Sequence, residues 1–133
     1  MKAVFADAFY FVACLNRADQ HHQKAITFAA EDSRSLVTTT WILTEVADAF
    51  AASKARGRIA GFVAALEGDA NTKIIPATQS LFRRGLDRYT ARTDKSWTLT
   101  DCISFVVMED EDITEALTGD RHFSQAGFTP LLV

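Results

Sequence analysis

The stretch that decides the fold runs from Ala3 to Leu15 and reads AVFADAFYFVACL. Residues 3–6 are short and apolar and predict a buried β-strand, and residues 8–15 predict a short helix. Asp7 is the only charged residue in this stretch, and it falls where the strand should end. A buried carboxylate is costly unless it is paired, hydrogen-bonded, protonated or bound to a metal ion. Asp7 therefore either caps the following helix or belongs to a site, and the stretch alone favours neither interpretation.

The alternation of short strands and helices continues along the rest of the chain. Further strands are predicted at residues 35–39, 73–76, 115–118 and 129–133, which makes about five in all. Helices are predicted at residues 19–31, 42–54, 58–66, 79–92 and 101–109, with one helical turn at 122–126. Short apolar strands separated by helices are typical of a parallel sheet covered on both faces. No repeat or Pro/Gly-rich linker interrupts the pattern, so residues 1–133 are predicted to form a single α/β domain.

The composition is that of a globular protein without a basic field. Hydrophobic residues make up 48% and charged residues 23% of the chain, and the formal net charge is −3. This charge counts mildly against a nucleic-acid-binding module, but less against an enzyme that reaches phosphate through bound metal ions. Cys14 and Cys102 lie far apart in mainly apolar segments, which favours buried thiols of a reducing compartment over one disulfide.

The apolar run at the start of the chain has some features of a signal peptide. Asp7 interrupts this run, however, and no small-residue cleavage site follows it. No segment reaches the ~18 apolar residues that a membrane span requires. The sequence therefore predicts a cytoplasmic protein without a membrane partner.

A second carboxylate, Glu45, lies beside a stripe of residues in the predicted helix 42–54. Residues with the i, i+4, i+7, i+8 and i+11 spacing of a buried helix face are Ile42, Val46, Ala49, Phe50 and Ser53. Glu45 stands three residues after Ile42, on this stripe or at its edge. A capping box would need Ser or Thr at that earlier position. Pairing with Lys54 or an arginine is the structural alternative, but a functional role is favoured.

Two further acids stand at element boundaries. Asp101 ends the segment Thr98-Leu99-Thr100-Asp101, which matches the pattern that begins a helix, and the apolar residues after it indicate a buried helix. Whatever caps a buried helix lies near the core, so a capping role and a site role are compatible. Asp120 directly follows the fourth predicted strand, although a Gly-Asp pair is by itself more often a turn.

The four acids converge when the predicted sheet is parallel. Asp7 and Asp120 follow strands, whereas Glu45 and Asp101 lie in early turns of helices, and all such positions face the carboxyl edge of the sheet, where ligands bind. Four converging carboxylates repel one another, which raises some of their pKa values. A hard divalent cation relieves this repulsion, and ligands that offer only oxygen suit Mg²⁺ or Mn²⁺ rather than Zn²⁺. The sequence therefore predicts a metal site at Asp7, Glu45, Asp101 and Asp120.

At these residues the chain resembles the PIN domain family, nearly from end to end. The matching segments, in order, are Phe5-Ala6-Asp7, Asp19-x-x-His22-x-x-Ala25, Thr39-Thr40-Trp41-Ile42-Leu43-Thr44-Glu45, DKSWTLTDCIS at residues 94–104, Leu117-Thr118-Gly119-Asp120-Arg121-His122-Phe123 and Gly127-Phe128. One position departs from the family pattern. Thr40 stands where the family commonly has Asn, which puts in doubt the groups that orient the acids rather than the acids themselves.

The resemblance implies a three-layer α/β/α fold with a central parallel sheet and a metal-dependent ribonuclease activity. It suggests cleavage of single-stranded or structured RNA that leaves 5′-phosphate and 3′-hydroxyl ends. Many relatives are the toxins of type II toxin–antitoxin pairs, so an antitoxin peptide and a homodimer are possible partners. A non-toxin RNA-processing nuclease and an inactive PIN-like binding or scaffold domain are the alternatives. A dehalogenase-type phosphatase is disfavoured because Phe9 occupies the position of its second aspartate.

Other polar residues are assigned structural roles at this point. His22 is expected to be packed and hydrogen-bonded, while Arg121 and His122 are expected to form a solvated turn rather than a phosphate contact. Trp41 and Trp97 are expected to pack rather than stack on bases. A basic stripe is expected to be a solvated helix face with i,i+4 partners; it comprises Arg83, Arg84, Arg88 and Arg92.

Overall fold

The computed structural model describes residues 2–133, so that of the predicted domain only residue 1 lies outside the described residues. It contains a five-stranded sheet in the order β3-β2-β1-β4-β5, and every pair of neighbouring strands is parallel. The strands are β1 (Val4–Ala6), β2 (Leu36–Thr39), β3 (Thr72–Ile75), β4 (Glu115–Leu117) and β5 (Thr129–Pro130). The predicted α/β class and parallel sheet of about five strands are confirmed.

Seven α-helices connect these strands within the described residues. They are α1 (Ala8–Leu15), α2 (His22–Glu31), α3 (Thr40–Ala49), α4 (Ile59–Glu67), α5 (Gln79–Ala91), α6 (Leu99–Asp110) and α7 (Arg121–Gln125), with a 3-10 helix at Lys54–Arg58. The chain moves from β1 to β3 in one direction along the sheet, and from β3 to β4 and β5 in the other. Because crossovers between parallel strands are right-handed, this reversal places helices on both faces of the sheet.

The core is densest around the central strand and α6. Val4, Phe5 and Ala6 of β1 are fully buried, as expected for a strand with neighbours on both sides and helices on both faces. In α6, every residue from Asp101 to Met108 is buried, which confirms the expectation of an enclosed helix. Gly85 of α5 allows this enclosure, because a Cβ there would overlap Ile103 of α6.

Several predicted boundaries are corrected. The helix predicted to run to residue 54 ends at Ala49, since the exposed residues 51–53 offer nothing to bury and Ser53 instead accepts a hydrogen bond from the Ala55 N–H. The helix predicted from residue 19 begins at His22, because Asp19 accepts a hydrogen bond from the His21 N–H and forms a turn. The last strand is only Thr129–Pro130 and lies at the edge of the sheet, where a proline is tolerated.

Two further sequence expectations can be compared with the fold. Both cysteines are free thiols, with Cys102 buried and Cys14 half-buried, as predicted. From residue 2 to residue 133, no helix has the length and apolar character that crossing a membrane requires.

Candidate functional site

Asp7 lies at the carboxyl edge of the sheet, where β1 and β4 run side by side. Its side chain is only 8% exposed although it directly follows the buried strand β1. The buried hydroxyl of Thr118 donates a hydrogen bond to Asp7 Oδ2 at 2.8 Å and accepts one from the Asp120 N–H at 3.0 Å. Thr118 therefore links the ends of two neighbouring strands. Asp7 occupies the N-cap position of α1 but its side chain makes no capping hydrogen bond, so the capping interpretation is not the one the structure favours.

Asp120 is held beside Asp7 by the turn that follows β4. Its Oδ1 accepts a hydrogen bond from the His122 N–H at 2.9 Å and so caps α7. Gly119 precedes it, and a Cβ at this position would overlap the ring of Phe9 in α1. The absence of a side chain at 119 therefore lets the turn approach the first turn of α1, next to Asp7.

Asp101 combines the two roles that its sequence allows. Thr98 and Asp101 form a capping box, in which the Thr98 N–H donates to Asp101 Oδ2 and the Asp101 N–H donates to Thr98 Oγ1, both at 3.0 Å. The same Oδ2 lies 2.8 Å from Nδ1 of His122. Within residues 2–133, the other carboxylate oxygen accepts no hydrogen bond. One oxygen of Asp101 is thus fixed by the protein, and the other is available to a ligand.

His122 is the site residue that sequence reasoning missed. Its side chain is 18% exposed, and Nδ1 lies between Asp101 Oδ2 and Asp120 Oδ1, at 2.8 and 3.4 Å. Its Nε2 lies 3.3 Å from Ser96 Oγ. The expectation of a solvated turn is therefore correct for the exposed Arg121 but wrong for His122. The sequence pattern that could have identified this role is Asp120-x-His122. This spacing places the imidazole beside Asp120, at the N-terminus of α7.

Three potential ligand atoms lie close enough together to share an ion. One oxygen each of Asp101 and Asp120 and a ring nitrogen of His122 lie within 4.8 Å of one another. Asp7 and Glu45 are outside this group, but the charges of Asp101 and Asp120 contribute to the raised pKa values of both. The structure therefore brings three of the four predicted acids to one edge of the sheet, with Glu45 on the adjoining helix α3.

Burial and mutual repulsion raise the pKa values of two of these acids. Desolvation, together with the charges of Asp101 and Asp120, outweighs the hydrogen bond from Thr118 and raises the pKa of Asp7 to about 6. Although Glu45 is partly open to solvent, desolvation followed by the charges of Asp7 and Asp101 raises its pKa to about 7. Each carboxylate destabilises its neighbour in the charged form, which is the condition that a bound cation relieves.

The surroundings of Glu45 agree with its predicted position at the edge of a buried stripe. Ile42 and Val46, on either side of it in α3, are fully buried, whereas Glu45 is exposed. The predicted stripe does not extend further than Phe50, because Ala49 and Ser53 are exposed. Glu45 consequently lines the open side of the acidic cluster, and Asp7 its buried side.

The donor set fits a hard divalent cation. Carboxylate oxygens are the ligands that Mg²⁺ and Mn²⁺ prefer, and the single imidazole nearby is already held by Asp101. A buried hydroxyl also lacks a partner on the same side of α6: Ser104, one turn after Asp101, makes no hydrogen bond to any described residue. Buried hydroxyls rarely remain unsatisfied, so the Ser104 hydroxyl could take a further polar ligand.

Two arginines of the basic stripe and Trp97 have structural partners, although the partners of the stripe differ from the prediction. Arg84 and Arg88 of α5 pair with Asp110 and Glu109 of α6, at 2.7 Å in each case, rather than with residues of their own helix. The reason is that α5 packs along α6, whose last turn is acidic. His22 is hydrogen-bonded to the Ala13 carbonyl, and Trp97 is buried with its indole N–H on Gln125.

Comparisons with known proteins find similarity among solved structures. No protein-family model matches the sequence, and neither does any curated protein. Among solved structures, the fold is similar to that of Mycobacterium tuberculosis VapC20, described as a Sarcin-Ricin loop cleaving toxin, with a TM-score of 0.87 and 22% sequence identity. The similarity covers 97% of this chain and 98% of that one. The five parallel strands, their helices and this end-to-end match confirm that the chain has the PIN-like fold.

Proposed function

We propose that this chain is a divalent-metal-dependent endoribonuclease and the toxin of a type II toxin–antitoxin pair. The observation that supports this most strongly is the clustering of Asp7, Asp101 and Asp120, with Glu45 alongside, from four separate segments of the chain. Repelling acids are retained at a ligand-binding edge when a cation is bound there. The cleavage of RNA by a toxin of the same fold supports the choice of substrate.

In this proposal the four acids hold Mg²⁺ or Mn²⁺ with unequal roles. Asp7 and Asp101 are the principal ligands, because each is buried and has one oxygen fixed by a protein donor. Glu45 and Asp120, which are more exposed, complete the site, partly through water. When bound, the cation supplies an activated water molecule at neutral pH and stabilises negative charge on phosphate oxygens. The roles of the protein are to fix the carboxylates and to leave the Glu45 side open to RNA.

His122 is proposed to act as a positioning residue for Asp101. With Nδ1–H donating to Asp101 Oδ2, the imidazole fixes the carboxylate so that its other oxygen points to the cation. We expect His122→Ala to weaken Mn²⁺ binding by about 10- to 100-fold, the usual effect of removing a group that orients a metal ligand. His122→Asn should restore most of the affinity, since its amide can donate from nearly the same position. Calorimetric titration with Mn²⁺ measures both effects, and an unchanged affinity in His122→Ala would contradict the role.

The proposed nuclease function is tested by incubating the protein with a mixed RNA pool and with a sarcin–ricin loop oligonucleotide. We expect Mg²⁺ or Mn²⁺ to be required for cleavage, EDTA to stop it, and the products to carry 5′-phosphate ends. Glu67→Gln removes an exposed acidic charge at the end of α4 that is not part of the acidic cluster. This control variant should cleave like the wild type. Tight RNA binding without cleavage under any metal condition would instead indicate the inactive PIN-like binding domain.

A growth experiment separates the toxin from an RNA-processing nuclease. We expect expression of the active chain in the cytoplasm of a bacterial host to arrest growth. Co-expression of a cognate antitoxin peptide should restore growth. Such a peptide would cover the acidic edge, where a basic side chain would be attracted to the carboxylates. Cleavage in vitro without growth arrest would favour the non-toxin nuclease. A homodimer, if it forms, is measurable by sedimentation of the same preparation.

A further inference from the structure

A groove at the C-terminal ends of α1 and α3 concentrates positive charge in this acidic chain. It has a volume of about 400 Å³ and is lined by Arg17, Lys54 and Arg58, with Leu15 and Phe50 among the apolar residues. We call it the basic groove. No aspartate or glutamate lines it. Three exposed cations are therefore gathered where no acid of the groove neutralises them.

The cations of the basic groove differ from most others on the surface. Six other cationic side chains form ion pairs with carboxylates; those are Lys2, Arg34, Lys73, Arg84, Arg88 and Arg92. Within the described residues, five more form no ion pair; those are Lys24, Arg56, Arg83, Lys95 and Arg121. In the part of the chain that the structure describes, Arg17, Lys54 and Arg58 make no ion pair and no side-chain hydrogen bond. They come from two separate segments, the turn after α1 and the 3-10 helix after α3. Their charge is thus free for an external anion.

The position of the groove relates it to the acidic site. Asp7 precedes α1, and Leu15 at the end of the same helix lines the groove, about 12 Å away along a helix of this length. In α3, Glu45 lies beside the acidic cluster, and Ala49, one turn later, lines the groove. Helix α1 packs against α3. The acids and the basic groove are therefore linked by the same two helices, with Asp7 and Leu15 about 12 Å apart.

We propose that the basic groove binds the phosphate backbone of the substrate RNA beside the cleavage site. This inference rests on the proposed nuclease function for the identity of the polyanion. The acidic edge repels RNA wherever a cation does not intervene, so cations at a distance from the acids can supply attraction that the edge lacks. Arg17, Lys54 and Arg58 provide three spaced charges, which suit successive phosphates, and contacts of this kind determine affinity without reading sequence.

The test compares two triple variants in an Asp101→Asn background, so that bound RNA is not cut. One replaces Arg17, Lys54 and Arg58 with Gln. The other replaces Lys2, Lys73 and Arg84 with Gln, which removes the same charge from cations already paired with acids at 110–112. Binding of fluorescein-labelled oligouridylate is followed by anisotropy over a range of NaCl concentrations. All six positions are on the surface, and circular dichroism verifies that both variants are folded.

We expect the groove variant to bind at least about tenfold more weakly at low salt, with a salt-dependence slope smaller by about 2, because single-strand contacts contribute about 0.7 each. The control variant should keep the parental affinity and slope. If the groove variant binds RNA like the control while the wild type cleaves RNA, this inference is overturned and the proposed function stands. If the wild type does not cleave RNA, and the groove variant alone loses RNA binding, the proposed nuclease function fails and the groove assignment stands. If the groove variant loses binding of an oligoglutamate peptide but still binds RNA like the control variant, the inference that the groove binds RNA is also overturned.

Discussion

Asp101→Asn is expected to lower the rate of RNA cleavage by about 100-fold or more while leaving the protein folded. The change removes a charged ligand from the cluster, and a catalytic cation contributes several kcal/mol of transition-state stabilisation, at about 1.4 kcal/mol per factor of ten. The fold should survive because the amide oxygen of Asn can still accept the Thr98 N–H that closes the capping box. Single-turnover cleavage of a labelled RNA with Mg²⁺ in excess measures the loss.

The matched control for this prediction is Asp48→Asn. Asp48 is exposed on α3 and contributes to the raised pKa of Glu45, so its replacement removes the same charge from the same neighbourhood without removing a proposed ligand. We expect this variant to cleave close to the wild-type rate. Equal losses in the two variants would show that the overall negative potential matters, rather than the position of Asp101. A wild-type rate in Asp101→Asn would refute the assignment of this residue.

The positions of three acids could be predicted because they depend on where strands end and helices begin. Once the sheet is parallel, the residues that follow β1 and β4 must meet at one edge, which brings Asp7 and Asp120 together. Asp101 could be placed because a capping pattern preceded a wholly apolar helix. These inferences need only the period of each element and its direction. That the four acids act as metal ligands remains a prediction.

Contacts between residues distant in sequence were less predictable. His122 touches Asp101, 21 residues earlier, and its role depends on how α7 turns over the N-terminus of α6. The partners of Arg84 and Arg88 were expected within α5, but packing against α6 supplies them from Asp110 and Glu109. In each case the sequence contains the residue types, and only the helix-to-helix arrangement determines which ones meet.

The helix boundaries show a similar limit. The end of α3 at Ala49 could not be read from a stripe that appeared to continue to Ser53, because small residues such as Ala49 fit both buried and exposed positions. That early end matters for the proposed RNA contact. The turn and 3-10 helix that follow it carry Lys54 and Arg58 to the end of α1, where Arg17 lies, and so create the basic groove.

Asp7→Asn is expected to stabilise the metal-free protein at neutral pH while abolishing metal-dependent cleavage. The pKa of Asp7 is about 6 in the folded state against an ordinary value of 3.8 for aspartate, so protonation favours folding. This contribution is fully present below about pH 4 and is lost as the pH rises through 6. At pH 7.5 in EDTA, removal of the buried charge should raise the free energy of unfolding by up to about 3 kcal/mol, or Tm by roughly 10 °C.

Thermal unfolding in EDTA at pH 5 and pH 7.5 distinguishes this effect from a general loss of charge. The wild type should be more stable at pH 5 than at pH 7.5, and Asp7→Asn should show less of this difference, with Glu45, whose pKa is about 7, accounting for the remainder. Asp69→Asn is the control of opposite sign, because hydrogen bonds from the Asn71 N–H and Thr72 lower the pKa of Asp69, so that neutralising it cannot stabilise the fold. Mn²⁺ should then raise the Tm of the wild type but not of Asp7→Asn, since a ligand stabilises only the state that binds it. A lower Tm for metal-free Asp7→Asn than for the wild type at pH 7.5 would mean that the Asp7 carboxylate stabilises the fold. The charge of Asp7 would then not be a destabilising feature that a bound cation relieves.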